Sequence, residues 1–371
     1  MDALSSAWRL EEYLVDRATK HGVPLGGTLE LLPLCNMNCD MCYVRLSREE
    51  MEARGRLRGA NEWLRLAEEM KQNGVLFLLL TGGEPLLHPD FKEIYLGLLK
   101  LGMIVTINTN GTLIDWEWAR FFGKHKPRRI NITLYGKDET AYMSLCHYRD
   151  GFVRTAEAVR LLRTQGVDIK LNGSMTQMNR ADARALVRIA KDWEVPITVD
   201  TYMYPAVRER DRDYDWGVRL TPSQAAETKL EIMQEMLSEE GYRNYCQNRM
   251  EQGFCRVEGT EHCGVRCRAG RSSFVINWQG RMTPCLIMSW IEEDVFERGF
   301  AEAWKRIREQ VAGIRVSGQC MACEHRNICP SCAVSAYLET GQTDGVPEYL
   351  CEYTKELMEG LKRGREQSER A

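Results

Sequence analysis

The stretch CNMNCDMC, at residues 35–42, follows the apolar run TLELL at residues 28–32. Its three cysteines are spaced so that their thiolates can hold three irons of a cubane cluster, which leaves the fourth iron open for a ligand. A zinc site without a fourth ligand and three free thiols are the alternatives. The pattern therefore predicts a reactive iron–sulfur site on a loop that follows a strand, as in an α/β scaffold.

Short apolar runs alternate with amphipathic helical stretches around this loop, over residues 28–203. Strands are predicted at six of the runs: Thr28–Leu32, Val75–Leu80, Met103–Ile107, Ile130–Leu134, Asp168–Gly173 and Ile197–Tyr202. Helices are predicted between them, including Glu62–Lys71, Pro89–Lys100, Phe152–Thr164 and Ala181–Asp192. Strands that alternate with helices form parallel sheets through right-handed crossovers. Six such units predict an α/β fold with a partial, open (β/α)6 TIM-like barrel.

Glycine-rich and polar segments follow several of the predicted strands at the point where each strand ends. The cysteine loop follows the first, TGGEP at residues 81–85 the second, NTNG at residues 108–111 the third, and Tyr135 the fourth. Parallel barrels collect their chemistry at this C-terminal rim. The positions of the motifs and the predicted fold therefore agree.

The cysteine loop resembles the signature of the radical S-adenosylmethionine (SAM) superfamily. The TGGEP segment is similar to the element of that family that binds the amino group of SAM. The resemblance implies that Cys35, Cys39 and Cys42 hold a [4Fe–4S] cluster whose open iron is chelated by SAM. It also implies that an electron from the cluster cleaves SAM to methionine and a 5′-deoxyadenosyl radical. Met41 stands where the family commonly has an aromatic residue, and its polarizable thioether can fill that gap.

The resemblance extends to side chains around the rim that would contact SAM. Asn108 and Asn110 lie in a segment similar to the TNG element of the family, and Arg149 resembles an arginine that pairs with the SAM carboxylate. The family pattern implies this set of cofactor contacts: Gly82, Gly83, Glu84, Pro85, Asn108, Asn110, Thr133, Tyr135, Arg149, Asn172 and Thr176. The alternative for each is a loop residue that satisfies the local backbone.

The fourteen cysteines of the chain are unevenly placed, because ten of them lie between residues 246 and 351. Seven of these resemble a SPASM domain, a C-terminal extension that binds two auxiliary [4Fe–4S] clusters. The last spacing of the four-cysteine run is two residues, where three is more usual. For the distal cluster the resemblance implies Cys320, Cys323, Cys329 and Cys351. For the proximal cluster it implies Cys267, Cys285 and Cys332, with Cys263, or else Cys255, as a fourth ligand.

Zinc is the alternative for these C-terminal cysteines. A tetrahedral four-thiolate site could be formed by Cys320, Cys323, Cys329 and Cys332. Such a site would leave Cys267, Cys285 and Cys351 without a role. The iron–sulfur interpretation uses all seven cysteines.

Four further residues are candidates for the chemistry itself. Cys146 and Cys246 fall outside the implied ligand sets, so each is either an inert buried thiol or a donor of a hydrogen atom to a substrate radical. Asp200 and Tyr202 end the sixth predicted strand, facing the expected cavity. They are candidates for a base, a hydrogen donor or a substrate-positioning group.

The overall composition narrows the class of protein. A formal net charge of −3 gives no basic field, so we expect no nucleic-acid partner. No apolar run approaches the roughly 20 residues of a membrane helix. The N-terminus also lacks the apolar core of a signal peptide, so we predict a cytoplasmic protein with no membrane partner. Disulfides are disfavoured there, which supports a metal role for the clustered cysteines.

Five segments are predicted along the 371 residues. They are an N-terminal helical extension at 1–26, a radical SAM barrel at 27–220, a helical linker at 221–254, a SPASM domain at 255–355 and a charged tail at 356–371. The charged stretch Arg208–Trp216 is predicted to be a surface loop. Thr221 and Pro222 are predicted to open a helix that runs to about Glu239. The tail is predicted to fray.

Family members with this architecture mostly modify peptides or proteins, so the resemblance implies an enzyme that abstracts a hydrogen atom from a peptide. An oxidative outcome such as a thioether or C–C crosslink is the leading prediction, because seven cysteines in two clusters resemble an electron path. The alternatives are a peptide epimerase, a formylglycine-type sulfatase maturase, a dehydrogenase of a small alcohol or sugar, and a non-catalytic zinc-stapled binding protein.

The partners are implied by the same resemblance. They are a peptide or protein substrate and a reductant such as flavodoxin or ferredoxin. About 26 residues precede the first predicted strand, which is too short for the peptide-recognition domain of some relatives. Leader-peptide binding, where the substrate has a leader, is therefore expected to need either a separate leader-peptide-binding protein or another surface of this enzyme.

Overall fold

The computed structural model describes residues 3–254 and 264–369. These residues form nine strands, numbered in chain order: β1 Gly26–Glu30, β2 Phe77–Thr81, β3 Ile104–Thr109, β4 Arg129–Thr133, β5 Ile169–Ser174, β6 Ile197–Asp200, β7 Ser273–Ile276, β8 Arg281–Thr283 and β9 Glu293–Asp294. The ends of the first six lie within two residues of the predicted ends. The prediction of six strands is therefore confirmed.

The same residues form sixteen α-helices. In chain order they are α1 Ala3–His21, α2 Arg48–Arg54, α3 Ala60–Gln72, α4 Phe91–Lys100, α5 Trp116–Lys124, α6 Glu139–Cys146, α7 Gly151–Thr164, α8 Ala183–Asp192, α9 Asp213–Gly217, α10 Pro222–Met236, α11 Glu239–Phe254, α12 Val295–Arg298, α13 Phe300–Ala312, α14 Gly318–Ala322, α15 Ala333–Thr340 and α16 Glu348–Glu369. None of the described helices is long and apolar enough to cross a membrane.

The nine strands form one sheet in the order β6-β5-β4-β3-β2-β1-β7-β8-β9. Every pairing from β6 to β7 is parallel. A run of six parallel strands joined through helices is the arrangement of a partial TIM-like barrel. The predicted α/β fold class is confirmed.

The two faces of the sheet differ in chemistry because side chains alternate along each strand. One face carries apolar side chains such as Leu80, Ile107 and Ile132, which are fully buried in the main core together with apolar residues of the helices. The other face carries half-buried polar side chains such as Asn131 and Asn172. The half-buried polar face therefore suits a ligand better than the apolar one.

The sheet extends beyond the predicted barrel. β7, from the segment predicted to be the SPASM domain, pairs in parallel with β1, and β8 and β9 follow in antiparallel. The pairing register joins Gly26 to Ser273 and Leu29 to Ile276. The cysteine-rich half is therefore continuous with the barrel sheet on the side of the strand that leads to the cysteine loop. The five domain boundaries stay a prediction.

Residues 202–219, hereafter called the strap, connect β6 to α10. The prediction that Arg208–Trp216 is a surface loop is wrong for two of its arginines. Arg208 donates through both Nη atoms to the buried Glu30 carboxylate at 2.9 Å, and Arg210 is itself buried. Charged composition predicted exposure, but these guanidiniums find interior partners, which makes burial possible.

The helices after the strap pack as a group. Thr221 caps α10 through a capping box with Gln224, with Pro222 at the first helical position, as predicted. The predicted helix ends at Met236, three residues early, and α11 follows it. α16 packs on α10 and α11.

Helix α16 continues to Glu369, into the charged stretch KRGREQSERA at 362–371, whose fraying stays a prediction. Leu357, Met358 and Leu361, which precede that stretch, are buried at helical spacing and hold the helix on the core.

Candidate active site

The loop after β1 carries Cys35, Cys39 and Cys42, whose thiols are free and half-buried. The amide of Met37 donates to Cys35 Sγ at 3.4 Å, and the amide of Arg45 donates to Cys42 Sγ at 3.3 Å. Amide donors of this kind stabilise a thiolate. The loop therefore carries three sulfur atoms within eight residues, and backbone amides stabilise the thiolate form of two of them.

The thiols of this loop need a positively charged partner in order to ionise. Burial raises the pKa of Cys35 to about 12, and the nearby Glu84 carboxylate adds to the effect. Burial also raises the pKa of Cys42, while the Arg210 guanidinium acts in the opposite direction. Bare thiolates are unfavourable in such surroundings, whereas metal ligation deprotonates thiols outright. The residues present therefore fit an iron cluster.

Two glycines of the TGGEP segment let the loop after β2 approach the start of the cysteine loop. The amide of Gly83 donates to Leu32 O at 2.8 Å, and the amide of Glu84 donates to Leu34 O at 2.9 Å. A Cβ at Gly82 would lie 2.5 Å from Leu32 O, and one at Gly83 would lie 2.3 Å from Leu34 O. No larger residue fits here without moving backbone.

The Glu84 side chain is fully buried and holds neighbouring segments together. It accepts hydrogen bonds from the Leu86 backbone amide at 3.1 Å, the Thr109 hydroxyl at 2.8 Å and the Asn110 backbone amide at 2.8 Å. Burial raises its pKa to about 7. Pro85, also buried, begins a short 3-10 turn after it. In the structure Glu84 therefore joins the ends of β2 and β3, and its carboxylate does not face open space.

Asn110 connects the end of β3 to the cysteine loop. Its Nδ2 donates to Asn36 Oδ1 at 2.9 Å and lies 3.7 Å from Cys35 Sγ. Its Oδ1 accepts from the Thr112 hydroxyl at 2.7 Å and from the Thr112 amide. Asn110 is thus brought directly beside the three cysteines, as the sequence predicts for a rim residue.

Helix α6 covers the other side of the cysteine loop. The amide of Asn38 donates to Cys146 O, and the amide of Asp40 donates to Leu145 O, each at 3.0 Å. The Cys146 thiol is fully buried beside Cys39, and burial together with that contact raises its pKa. The structure therefore brings Cys146 next to the three cysteines.

Tyr135 also lies close to the cysteines. Burial raises its pKa, and the charges of Cys39 and Cys146 add to the effect. Asn179 anchors its backbone, donating to Tyr135 O at 2.8 Å. The side-chain Oδ1 of Asn179 accepts a hydrogen bond from the Thr176 hydroxyl at 3.0 Å, and Thr176 is fully buried. Thr176 shapes the loop after β5 through this hydrogen bond, and its contact with SAM stays a prediction.

The remaining predicted cofactor contacts lie on the polar face of the sheet or outside it. Asn131 Nδ2 donates to Asn108 Oδ1 at 2.8 Å, and Thr133 pairs with Asn172 in the β4–β5 register. These side chains share the half-buried face that the helices leave open. Arg149 is exposed after α6 and makes no hydrogen bond or ion pair within the described parts of the chain.

The predicted catalytic candidates separate into different surroundings. Tyr202 donates to Glu339 Oε1 at 3.5 Å and packs its ring against Tyr204 and Tyr349, so it joins the strap to the C-terminal helices. Asp200 is exposed at the end of β6, near Lys229.

Cys246 lies on α11, away from the sheet strands in sequence. It is fully buried, and Tyr242 and the α16 backbone at Gly364 lie against its thiol. Its role as a hydrogen-atom donor stays a prediction.

Four cysteines line a cavity of about 360 Å³ in the C-terminal half. They are Cys320, Cys323, Cys329 and Cys351. Burial raises the pKa of Cys351, and the charges of the other three add to the effect, which reflects how near they are. This group is the set that the SPASM resemblance implies for the distal cluster.

A second cavity, of about 530 Å³, is lined by Cys267, Cys285 and Cys332. Cys320 and Cys329 border it as well, so the two cavities are neighbours. Burial raises the pKa of Cys285, and the charges of Cys332 and Cys267 add to it. Cys263 and Cys255, the candidates for a fourth ligand, lie outside the described residues.

The walls of these cavities offer hydrogen-bond donors that lack partners. His325 Nδ1 and Arg326 Nε are buried without a hydrogen bond in the described structure. Both residues line the smaller cavity, and Arg326 also lines the larger one. Cluster sulfur atoms accept hydrogen bonds, so the donors in these cavity walls suit an iron–sulfur cluster.

The zinc alternative would join Cys332 and Cys323 in one four-thiolate site. Cys332 lines the larger cavity and Cys323 only the smaller, and the choice between zinc and iron stays a prediction. Within residues 3–254 and 264–369, no three His, Cys, Asp or Glu side chains converge closely enough to bind a single metal ion.

Several residues of these sites have no signal in the sequence. Tyr204 borders the larger cavity, Arg210 lies beside Cys42, and Asn179 fixes the Tyr135 loop. Each is a common polar residue in a polar stretch, and only its partners in space distinguish it. The charged run that contains Arg210 predicts exposure instead.

Comparison with known proteins agrees with this geometry. Residues 29–189 match the family model described as the radical SAM superfamily. An AdoMet-dependent heme synthase of Methanosarcina barkeri is 24% identical over 324 residues, which cover 84% of this chain and 92% of the relative. The antilisterial bacteriocin subtilosin biosynthesis protein AlbA of Bacillus subtilis is 24% identical over 338 residues, covering 86% and 71%. A PqqA peptide cyclase of Xanthomonas axonopodis pv. citri is 22% identical over 296 residues, covering 76% and 74%.

The fold has a counterpart among solved structures. The crystal structure of Streptococcus suis SuiB bound to precursor peptide SuiA superposes with a TM-score of 0.67 at 17% identity, covering 95% of this chain and 82% of that chain. Residues 29–189 therefore form a radical SAM domain, and that family implies SAM and a [4Fe–4S] cluster as cofactors. Its sequence relatives are SAM-dependent synthases and peptide-modifying enzymes.

Proposed function

We propose that this enzyme uses the cysteine loop to bind a [4Fe–4S] cluster and SAM, and abstracts a hydrogen atom from a peptide substrate. Cys35, Cys39 and Cys42 would hold three irons and leave the fourth to SAM. SAM, when bound, supplies a 5′-deoxyadenosyl group able to remove a hydrogen atom from carbon. Three half-buried thiols on one loop, two of them accepting from backbone amides, carry this proposal.

The rim residues have distinct proposed roles. The backbone at Gly82 and Gly83 offers close approach to the SAM amino group, with Glu84 and Pro85 fixing that backbone from behind. Asn110 orients the cysteine loop through Asn36 and Cys35. Polar groups on the open face would contact the sugar and base of SAM: Asn108, Thr133, Tyr135 and Asn172. Arg149 is free to pair with the SAM carboxylate, and Thr176 would act only through Asn179.

The C-terminal cavities would bind two auxiliary [4Fe–4S] clusters, which brings the total to three. We assign Cys320, Cys323, Cys329 and Cys351 to one and Cys267, Cys285 and Cys332 to the other, with Cys263 as its fourth ligand. Cys323 and Cys351 line only the smaller cavity, and Cys267, Cys285 and Cys332 line only the larger one, which supports this assignment. Adjacent clusters can accept an electron left on the substrate, which favours an oxidative outcome such as a thioether or C–C crosslink.

The alternatives within peptide chemistry differ in the step after hydrogen abstraction. An epimerase must return a hydrogen atom from a protein donor, and of the two candidate thiols Cys246 is enclosed by helices while Cys146 packs on Cys39. Both thiols are fully buried. A formylglycine-type sulfatase maturase and a dehydrogenase of small alcohols or sugars are oxidative and share the expected electron path.

A second candidate substrate is a tetrapyrrole. The heme synthase of M. barkeri aligns over 92% of its own length with this chain. The peptide cyclase aligns over 74% of its length. Full-length correspondence to a heme synthase is the observation that favours this candidate. The peptide interpretation is favoured by the names of two relatives and by the seven-cysteine half.

The proposed chemistry requires partners. An external one-electron reductant of the flavodoxin or ferredoxin type must reduce the cluster. A separate leader-peptide-binding protein would deliver the peptide. A cytoplasmic location, where such reductants are found, is part of the proposal.

The test is anaerobic incubation of reconstituted enzyme with SAM, dithionite and either candidate precursor peptides or a heme precursor. Liquid chromatography and mass spectrometry then monitor 5′-deoxyadenosine and the substrate. We expect a peptide that loses two mass units or gains a crosslink in step with 5′-deoxyadenosine. A change in the heme precursor alone, with every peptide unchanged, would favour the second candidate.

A further inference from the structure

The strap contacts both cysteine-rich sites. Tyr204, near its start, lines the larger C-terminal cavity, and its hydroxyl lies 4.0 Å from Cys332 Sγ. Arg210, six residues later, donates through Nη2 to Met41 O at 2.7 Å and through Nη1 to Tyr204 O at 2.8 Å. One short segment therefore connects the cysteine loop of the barrel to the proximal auxiliary cavity.

Arg210 differs from the other two buried arginines of the strap. Arg208 pairs with Glu30 and Arg219 pairs with Glu339. Arg210 has no carboxylate within ion-pair distance among the described residues, although it is only 8% exposed. A buried cation without an anion is costly unless a negative group lies nearby.

The groups around Arg210 hold its guanidinium next to the cysteine loop. Its guanidinium lies 4.0 Å from the centre of the Tyr214 ring and 5.5 Å from that of Tyr43, so aromatic faces hold it in place. Its Nε has no hydrogen-bond partner in the described structure. Its charge lowers the pKa of Cys42, against the stronger effect of burial.

We propose that Arg210 and Tyr204 set the reduction potentials of the two cluster sites that the strap connects. A positive charge near a cluster, or a hydrogen bond to a ligating sulfur, stabilises the reduced form and raises the potential. Arg210 acts in this way on the cluster of the cysteine loop. Tyr204, which can only donate to a ligated Cys332 sulfur, acts on the proximal auxiliary cluster.

The inference rests on the proposed cluster ligands and not on the identity of the substrate. Iron content separates the two questions. If the wild-type enzyme binds no cluster at either site, the ligand assignment fails. If it binds its clusters and the potentials do not respond to these residues, only the present inference fails.

The test compares Arg210→Gln with Arg212→Gln, and Tyr204→Phe with Tyr337→Phe. Arg212 is an exposed arginine two residues away on the strap. The Tyr337 ring stacks on Trp290 at 3.9 Å, and its hydroxyl has no hydrogen-bond partner in the described residues. Each enzyme is reconstituted anaerobically, its iron is counted, and its clusters are titrated with reductant while electron paramagnetic resonance is recorded with and without SAM.

We expect Arg210→Gln to move the midpoint potential of the SAM-sensitive signal to more negative values, with the auxiliary signals unchanged. Tyr204→Phe should move one auxiliary midpoint in the same direction and leave the SAM-sensitive signal in place. Arg212→Gln and Tyr337→Phe should match the wild-type enzyme. Midpoints in Arg210→Gln and Tyr204→Phe that equal those of their controls, at full iron content, would overturn the inference.

Arg210→Lys decides the case in which Arg210→Gln loses iron. Lysine keeps the positive charge but cannot contact both carbonyl groups as the guanidinium does. Full iron with a midpoint close to that of the wild-type enzyme supports the charge effect. Loss of iron, or a midpoint clearly more negative than that of the wild-type enzyme, would show that Arg210 acts by packing alone and would overturn it.

Discussion

The barrel and the C-terminal half build their cysteine sites in opposite ways. In the barrel, three cysteines within eight residues share one loop, and neighbouring backbone groups set their positions. In the C-terminal half, seven cysteines spread from residue 267 to residue 351 meet in two cavities. The first site is a local property of the sequence, and the second exists only once the chain has folded.

The two regions also compensate buried charge differently. The barrel site has a buried cation, Arg210, whereas its buried Glu84 carboxylate acts against ionised thiols on the cysteine loop. The C-terminal cavities have donors in their walls, including His325, Arg326 and Lys355. Arg210 and these wall donors would favour negatively charged iron–sulfur clusters over bare thiols.

Removal of the local site has the largest expected effect. In the variant with Cys35, Cys39 and Cys42 all changed to Ala, 5′-deoxyadenosine formation should fall to background. About four of about twelve irons should be lost, because the auxiliary cavities remain intact. Iron analysis and chromatography measure both quantities, with Cys246→Ala as the cysteine control. Reductive cleavage of SAM by the triple variant would contradict the proposed site.

The two cavities should lose iron independently. Changing Cys320 and Cys351 together to Ala removes ligands from one cavity, so about four irons should be lost. Changing Cys285 and Cys351 together affects both cavities, so about eight should be lost. Iron content after anaerobic reconstitution gives the answer. Equal losses in the two double variants, or zinc in place of iron, would show that the cysteines form a single site.

The ion pair between the strap and β1 should matter for stability more than for chemistry. Arg208→Leu leaves the buried Glu30 carboxylate without its partner, which typically costs about 3–5 kcal/mol. The thermal midpoint of the reconstituted enzyme should therefore fall clearly. Arg160→Leu, which breaks an exposed pair with Glu157 on α7, is the matched control and should leave the midpoint unchanged. Similar midpoints for the two variants would argue against a structural role for the strap.

The smallest effect is expected at Cys246. Because its thiol is enclosed between α11 and α16, Cys246→Ala should keep the wild-type yields of product and of 5′-deoxyadenosine. Product analysis after a fixed number of turnovers measures this. A variant that still forms 5′-deoxyadenosine but makes no product would restore Cys246 as a candidate hydrogen donor.

Much of the barrel could be predicted from the sequence because its signals are local. Each of β1–β6 is an apolar run, and each polar segment follows a strand end, so the rim could be assembled without long-range information. The cysteine loop, the glycines that pack on Leu32 and Leu34, and Asn110 were all placed correctly beside one another.

The parts that could not be predicted depend on long-range partners. The strand β7 is four residues long and pairs with β1 across more than two hundred residues, so no local pattern distinguishes it. Arg208 and Arg210 lie in a run of charges that predicts solvent, and only Glu30 and Met41 O explain their burial. Glu84 and Thr176 carry suitable chemistry for a ligand, but the fold uses them to hold loops.

The mass of the product formed in deuterated water tests the account most directly. The enzyme, SAM, a reductant and a peptide that yields product are incubated anaerobically in deuterated water, and the product is weighed by mass spectrometry after exchange back into ordinary water. The oxidative account predicts a product lighter by two hydrogens, with no deuterium on carbon. An unchanged skeleton that has gained one deuterium at a carbon centre would contradict it and identify the enzyme as an epimerase.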